Sequence, residues 1–129
     1  MAKYKSKKCE FDGIKFDSLA ERARYIDLLD LCKRGEISEL TTQPHFLLFD
    51  KFERNKTKYR AIEYVADFQY TEEIEDLDGN CFDVTVTEDV KGMKTPVYKL
   101  KLKRFLFLNP LIIFREVTLV KNKWEILEL

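Results

Sequence analysis

Residues 82–91, FDVTVTEDVK, place Phe82, Val84, Val86 and Val90 on one side of an extended chain. Asp83, Thr85, Thr87, Asp89 and Lys91 fall on the other. A period of two belongs to a strand that buries one face, so this segment fixes a sheet near the middle of the chain. Gly92 ends it. Upstream, Asp78-Gly79 is a hairpin signal, and KYRAIEYVADFQY before it is rich in strand-forming residues. The two segments therefore read as antiparallel neighbours that carry Asp67 and Asp89 near adjoining ends.

Whether those two carboxylates share a face is a matter of parity. A two-residue turn on Asp78-Gly79 puts position 67 across from 90, with Asp67 and Asp89 on opposite faces. A loop longer by one residue moves Asp67 across from Asp89 or Lys91, all on one face. Convergence of the three side chains thus demands an odd-length connection or a bulge between residues 70 and 81. Two anions so close repel, and one would take up a proton unless a cation stands between them. Hard oxygen ligands suit Mg²⁺, with Mn²⁺ as a substitute.

The other elements are read from caps and breakers. FDSLAERARYIDLLDLCKRGE carries Leu19, Ala23, Ile26 and Leu29 at helical spacing, with Asp17 or Ser18 as cap and Gly35 as stop. Ser18 and Glu21 also form a capping box, a structural role that competes with any ligand role for Glu21. ISELTTQPHFLLFDKF is extended around Pro44, and FERNKTK is a polar turn region. Thr95-Pro96 opens a second helix, closed by Pro110. LIIFREVTLV is a strand, and KNKWEILEL follows as a possible last one. The expected class is α/β: a mixed central sheet flanked by helices, in the order αβββαβ.

At 129 residues the chain is read as one domain, 1–129, with residues 1–10 as a flexible basic arm. No apolar run reaches membrane-spanning length, so no membrane contact is expected. Cys9, Cys32 and Cys81 are odd in number, and one histidine accompanies them. That argues against a disulfide framework and a Cys/His zinc site, and for a reducing compartment. The net charge of +0 conceals a split. Residues 1–90 hold 14 Lys+Arg against 20 Asp+Glu, and residues 91–129 hold 9 against 3. Phosphate-binding surface is therefore sought in the last 40 or so residues and the N-terminal lysines. Lys94, Lys101 and Arg104, the last two sharing a helix face, are the candidate contacts. Gln43 beside Pro44 is a further one.

Ala66-Asp67, followed across a hairpin by Asp89-Val90-Lys91, resembles the PD-(D/E)XK nuclease superfamily signature, with Ala66 where a proline is usual. Glu21 matches an acidic residue that archaeal-type Holliday junction resolvases and other members place in their first helix. The stretches YVADF, EDVKG and T-P-x-Y-x-L-K look most like a small phage-encoded family within that superfamily, and the resemblance covers roughly residues 17–118. It implies a restriction-endonuclease-like core and Mg²⁺-dependent hydrolysis of DNA phosphodiesters, in branched or duplex DNA. Asp67, Asp89 and Lys91 would be catalytic. Glu21, Asp67, Asp89 and the Val90 carbonyl would hold the metal. It further implies junction cutting in phage recombination or replication, a homodimer, and a cytoplasmic location (the host's, for a phage-encoded protein). Ile112, Ile113 and Phe114, or the C-terminal WEIL, are the apolar segments available for a dimer interface. A DNA-binding or partner-dependent module with weak catalysis is the competing expectation.

Overall fold

A computed structural model describes residues 8–129. Of the segment read as an N-terminal arm, residues 1–7 lie outside the described residues. Cys9 and Glu10 belong to a strand.

The described chain is mostly β, with eleven strands and two helices. A hairpin of β1 (Cys9–Phe11) and β2 (Ile14–Phe16) precedes α1 (Leu19–Lys33). Then come β3 (Ile37–Thr42), β4 (His45–Phe49), β5 (Phe52–Arg54), β6 (Thr57–Tyr59), β7 (Ile62–Val65), β8 (Phe68–Glu75) and β9 (Cys81–Val90). After them lie α2 (Pro96–Leu108), β10 (Ile113–Val120) and β11 (Lys123–Glu128). The largest sheet has the order β11-β10-β9-β8-β3. Only β9 and β10 run parallel in it, with α2 in the connection between them. The pairs β1-β2, β4-β7 and β5-β6 form three further sheets.

This corrects the α/β expectation of a helix-flanked, restriction-endonuclease-like core in αβββαβ order. Four local causes multiply the strands. Residues 9–16 fold back on themselves as a hairpin. The extended segment before Phe52 breaks at Gln43-Pro44, where Gln43 adopts φ 52°. The strand through Asp67 breaks at Ala66-Asp67. The polar turn region closes as a hairpin through Asn55 and Lys56, at φ 50° and 64°, the positive pair that a two-residue hairpin turn requires.

Both helices begin at the caps read from sequence: Ser18 Oγ accepts from Glu21 N–H, and Thr95 Oγ1 from Tyr98 N–H. Their buried faces differ from the apolar spacing. α1 buries Arg24, Tyr25 and Leu28 and leaves Leu19 and Ile26 exposed. Tyr25 and Leu28 pack on the core from this face, and beside them the Arg24 guanidinium reaches the buried Glu88 carboxylate on β9 with two bonds of 2.8 Å. α2 buries Tyr98, Leu102 and Phe105, with Val97 and Leu100 exposed.

Two apolar clusters form the core. Phe16, Tyr25 and Leu28 meet Phe68, Tyr70 and Val86 in the first. Tyr98, Leu102 and Phe105 meet Leu48, Tyr64 and Phe114 in the second. Phe114 is wholly buried and Ile112 and Ile113 are half-buried, so that segment belongs to the core. The edge strand β11 leaves Ile126 and Leu127 exposed. No helix among the described residues is long and apolar enough to cross a membrane.

Thr87 is fully buried on β9, and its hydroxyl has no partner among the described residues. Replacing it with the isosteric valine removes an unsatisfied polar atom. Thr87→Val is therefore expected to stabilise the fold by about 1 kcal/mol. Chemical denaturation checks this, and a loss of stability would show that the hydroxyl has a partner in solution.

Candidate functional site

The β8–β9 hairpin decides the site. Register pairs Phe68 with Glu88 and Glu75 with Cys81, leaving residues 76–80 as a five-residue connection. Its odd length meets the parity demand, and by the same register position 67 lies across from 89. Asp76 fastens the loop: its Oδ1 accepts from the Asp78 and Asn80 N–H groups at 2.9 Å each. Those hydrogen bonds hold the Asp76 carboxyl below its ordinary range. Gly79 takes φ +84°, a conformation that suits a residue without Cβ.

At the other end of the hairpin Asp67 sits in the bend between β7 and β8. Its N–H donates both to the Glu88 carbonyl and to Asp89 Oδ1, each at 3.1 Å. Its own Oδ2 accepts from the Val90 N–H at 2.7 Å. Within a strand the N–H and C=O of one residue face the same neighbour, so the Val90 carbonyl faces the Asp67 side as well. The Lys91 ammonium stands 3.6 Å from Asp89 Oδ2 and 4.2 Å from the centre of the Tyr98 ring. The Tyr64 hydroxyl donates to Asp89 Oδ2. Tyr98 in turn donates to Glu116 at 2.7 Å, and Lys94 pairs with the other oxygen of Glu116 at 2.9 Å.

Glu21 approaches from the first turn of α1. Its Oε2 accepts from the Asp17 N–H at 3.4 Å, one residue upstream of the cap itself. Burial raises its carboxyl, as does negative charge from Asp17 and Asp89, while Lys91 lowers it. Burial, then Asp89 and Glu21, push Asp67 up to about 9. Burial also raises Asp89, against the pull of Lys91 and Tyr64. The three carboxylates therefore feel one another's charge and are under-neutralised by the single lysine.

All candidate ligands are hard oxygens, which suits Mg²⁺ or Mn²⁺, and their charge surplus is what a divalent cation relieves. Among the described residues, no three His, Cys, Asp or Glu side chains already surround one point as ligands do. Holding a cation would draw the Asp67, Asp89 and Glu21 carboxylates closer together.

The predicted phosphate contacts lie in different places. Lys94 is at Glu116, beside the acidic group. Gln43 touches it through the backbone, its N–H donating to the Asp67 carbonyl at 2.9 Å. Lys101 and Arg104 line an apolar groove of ≈ 490 Å³ with Leu48, Phe49, Val97 and Phe107. Arg104 there donates to the Leu48 carbonyl at 3.2 Å and lies over the Phe49 ring. His45 is exposed and meets Glu63 at 3.2 Å.

Sequence reasoning missed Tyr64, Tyr98 and Glu116. Glu116 carried the same signal as Asp67, an acid among apolar strand residues. The tyrosines carried none, since their rings read as core. Glu88, on the valine face of β9, is fully buried between Arg24 and Tyr70. An acid on the valine face of β9 was itself the sign of a buried partner.

The raised Asp67 carboxyl has a pH consequence. The unfolded chain ionises this group near pH 4, while the folded protein holds the proton to about pH 9. The native state binds more protons between those values, so stability falls as pH rises through that window. Asp67→Asn keeps an acceptor for Val90 and removes the titration. Without metal, it is expected to melt above wild type near pH 9, with the gap closing toward pH 4. Melting curves across pH check this, and an Asn variant that melts no higher at pH 9 contradicts it.

No curated protein and no solved structure matches this chain. A family model does, over residues 1–126. The chain belongs to the family described as Protein of unknown function (DUF1064).

Proposed function

We propose that this protein is a metal-dependent DNA endonuclease, related to the PD-(D/E)XK nucleases and acting on branched or duplex DNA. The observation that carries the reading is the convergence at one sheet end of Asp67, Asp89 and Lys91, with Glu21 beside them. The choice of DNA, and of junctions in particular, rests on the resemblance of the D…DVK pattern.

Asp67, Asp89, Glu21 and the Val90 carbonyl would hold Mg²⁺ or Mn²⁺. A bound divalent cation would supply charge neutralisation at the phosphate and a more acidic water. Lys91 is fixed against Asp89 and the Tyr98 face, so its ammonium is aimed rather than free. It can orient an attacking water by hydrogen bonding or stabilise the charge that develops on phosphate oxygens. Tyr64 holds Asp89 in one orientation, leaving Oδ1 toward Asp67. Lys94 flanks the site, paired with Glu116, and its ammonium can meet an incoming phosphate. Symmetric cutting of a junction calls for a two-fold dimer, and the exposed apolar edge of β11 is the segment offered for it.

The competing reading, a weakly catalytic DNA-binding or partner-dependent module, is favoured by one observation. Asp67 Oδ2 and Asp89 Oδ2 already accept protein hydrogen bonds. The test uses a four-way junction, a flap and linear duplex with Mg²⁺ or Mn²⁺. Wild type is expected to cleave at least one of them. Asp89→Ala and Lys91→Ala are each expected to lower the rate roughly 100-fold or more. Cleavage that survives both changes would sink the site, and no cleavage by wild type favours the non-catalytic module.

A further inference from the structure

β4 and β7 continue into β5 and β6 as one antiparallel ribbon. Phe49 pairs with Ile62, and Phe52 pairs with Tyr59 in the same register. From His45–Val65 to Arg54–Thr57 the ribbon runs about 30 Å, at roughly 3.3 Å per residue. Its root is the acidic site itself. The Ala66 N–H donates to the Pro44 carbonyl at 3.1 Å, and the Gln43 N–H donates to the Asp67 carbonyl at 2.9 Å. The outer half, residues 51–60, is exposed throughout.

The outer half is built to keep its shape. Phe52 and Tyr59 stack at 4.7 Å with 13° between the rings. The two-residue turn at Asn55-Lys56 is closed in positive φ.

Its charge is one-sided. Residues 51–60 carry Lys51, Arg54, Lys56, Lys58 and Arg60 against the single acid Glu53. None of these cations is in an ion pair among the described residues. The segment lies in the acidic part of the sequence, where the charge split hid it. A fold seldom holds five cations on a stiff projecting ribbon for its own stability, because exposed like charges repel.

We propose that this ribbon is a DNA-binding arm that grips duplex phosphates at a distance from the acidic site. The proposal rests on the nuclease reading and names its recognition element. A two-stranded ribbon fits the major groove of B-DNA, and cations along its edges meet phosphates on both walls. At roughly 3.4 Å per base pair, an arm of about 30 Å spans about nine pairs. Rooting at Asp67 makes that span a ruler from the gripped phosphates to the scissile one.

The test uses the full chain carrying Arg54→Ala, Lys58→Ala and Arg60→Ala together, which leaves the aromatic stack and the turn in place. A second triple variant, Arg54→Lys, Lys58→Arg and Arg60→Lys, keeps the charge. Binding of a labelled duplex of about 30 pairs is measured in EDTA across salt concentrations. Cleavage of bis(p-nitrophenyl) phosphate, too small to reach the arm, is measured with Mn²⁺.

The alanine variant should bind duplex at least about tenfold more weakly, with a log–log salt slope shallower by about 2 to 3. The charge-keeping variant should restore both, and hydrolysis of the small ester should be unchanged by either. Unaltered duplex affinity and salt slope in the alanine variant would overturn the arm, as would wild type failing to bind duplex. Polyglutamate bound as tightly as duplex would overturn it in favour of an acidic protein partner. Arm-dependent binding with no cleavage of any substrate supports the arm and removes the nuclease reading, so the two fail separately.

Discussion

The register between β8 and β9 is the constraint on which the remaining features depend. The Asp76 side chain holds the five-residue connection closed, and everything downstream inherits its parity. One residue fewer would turn Asp89 toward α1 and Glu88 toward α2. Glu88 would lose Arg24, and α1 would lose its buried ion pair to the sheet. Asp89 would leave Tyr64, and Lys91 would leave the Tyr98 ring. A loop at one end of the hairpin thus sets the chemistry at the other, about eight residues away along each strand.

Two adjacent acids on β9 show why burial alone does not mark a functional residue. Glu88 and Asp89 are both almost wholly removed from solvent. Glu88 faces a guanidinium with two short bonds and the Tyr70 hydroxyl besides, and Arg115 reaches that hydroxyl at 3.2 Å. Its charge is matched, and its role is to hold α1 on the sheet. Asp89 faces one lysine at 3.6 Å and a second carboxyl, Asp67, that burial and repulsion push toward neutrality. Asp89 also accepts from the Tyr64 hydroxyl and the Asp67 N–H, so it is held in place while its lysine is shared with a second carboxyl, and on the proposed reading a cation takes up that surplus.

The same contrast separates what the sequence makes legible from what it hides. Helix starts were legible because caps are local: Ser18 and Thr95 bond to N–H groups three residues on. The alternation of residues 82–91 was legible because Val84, Val86 and Val90 all turn to the first apolar cluster, although residues 86–90 are buried on both faces. Strand parity reduced the site to one question about one loop. The β1-β2 hairpin was legible too, since Asp12-Gly13 is a hairpin dipeptide flanked by Cys9, Phe11, Ile14 and Phe16 in alternation. The β5-β6 hairpin was hidden because Asn55-Lys56 is no strong turn dipeptide and little apolar pattern surrounds it. The α1 face was misread because Tyr25 and Leu28, with Arg24 beside them at Glu88, form the buried side, while Leu19 and Ile26 stay exposed. The two hairpins and the breaks at Gln43-Pro44 and Ala66-Asp67 are what turn the expected helix-flanked α/β chain into the mostly β chain of the structure.

Ala66-Asp67 is where the hidden and legible parts meet. The backbone bends there, handing β7 to the projecting ribbon and β8 to the large sheet. Ala66 is 1% exposed and packed in the second apolar cluster. A methyl group is the side chain that lets the two ribbon strands leave the sheet side by side while α2 covers the bend. Asp67, one residue on, then has its N–H turned to Glu88 and Asp89 and its carboxylate to Val90. The placement of the acid and the departure of the ribbon are consequences of one bend. The hydrogen bonds that close the ribbon's root, from Gln43 to Asp67 and from Ala66 to Pro44, are thus part of the backbone that places the acid.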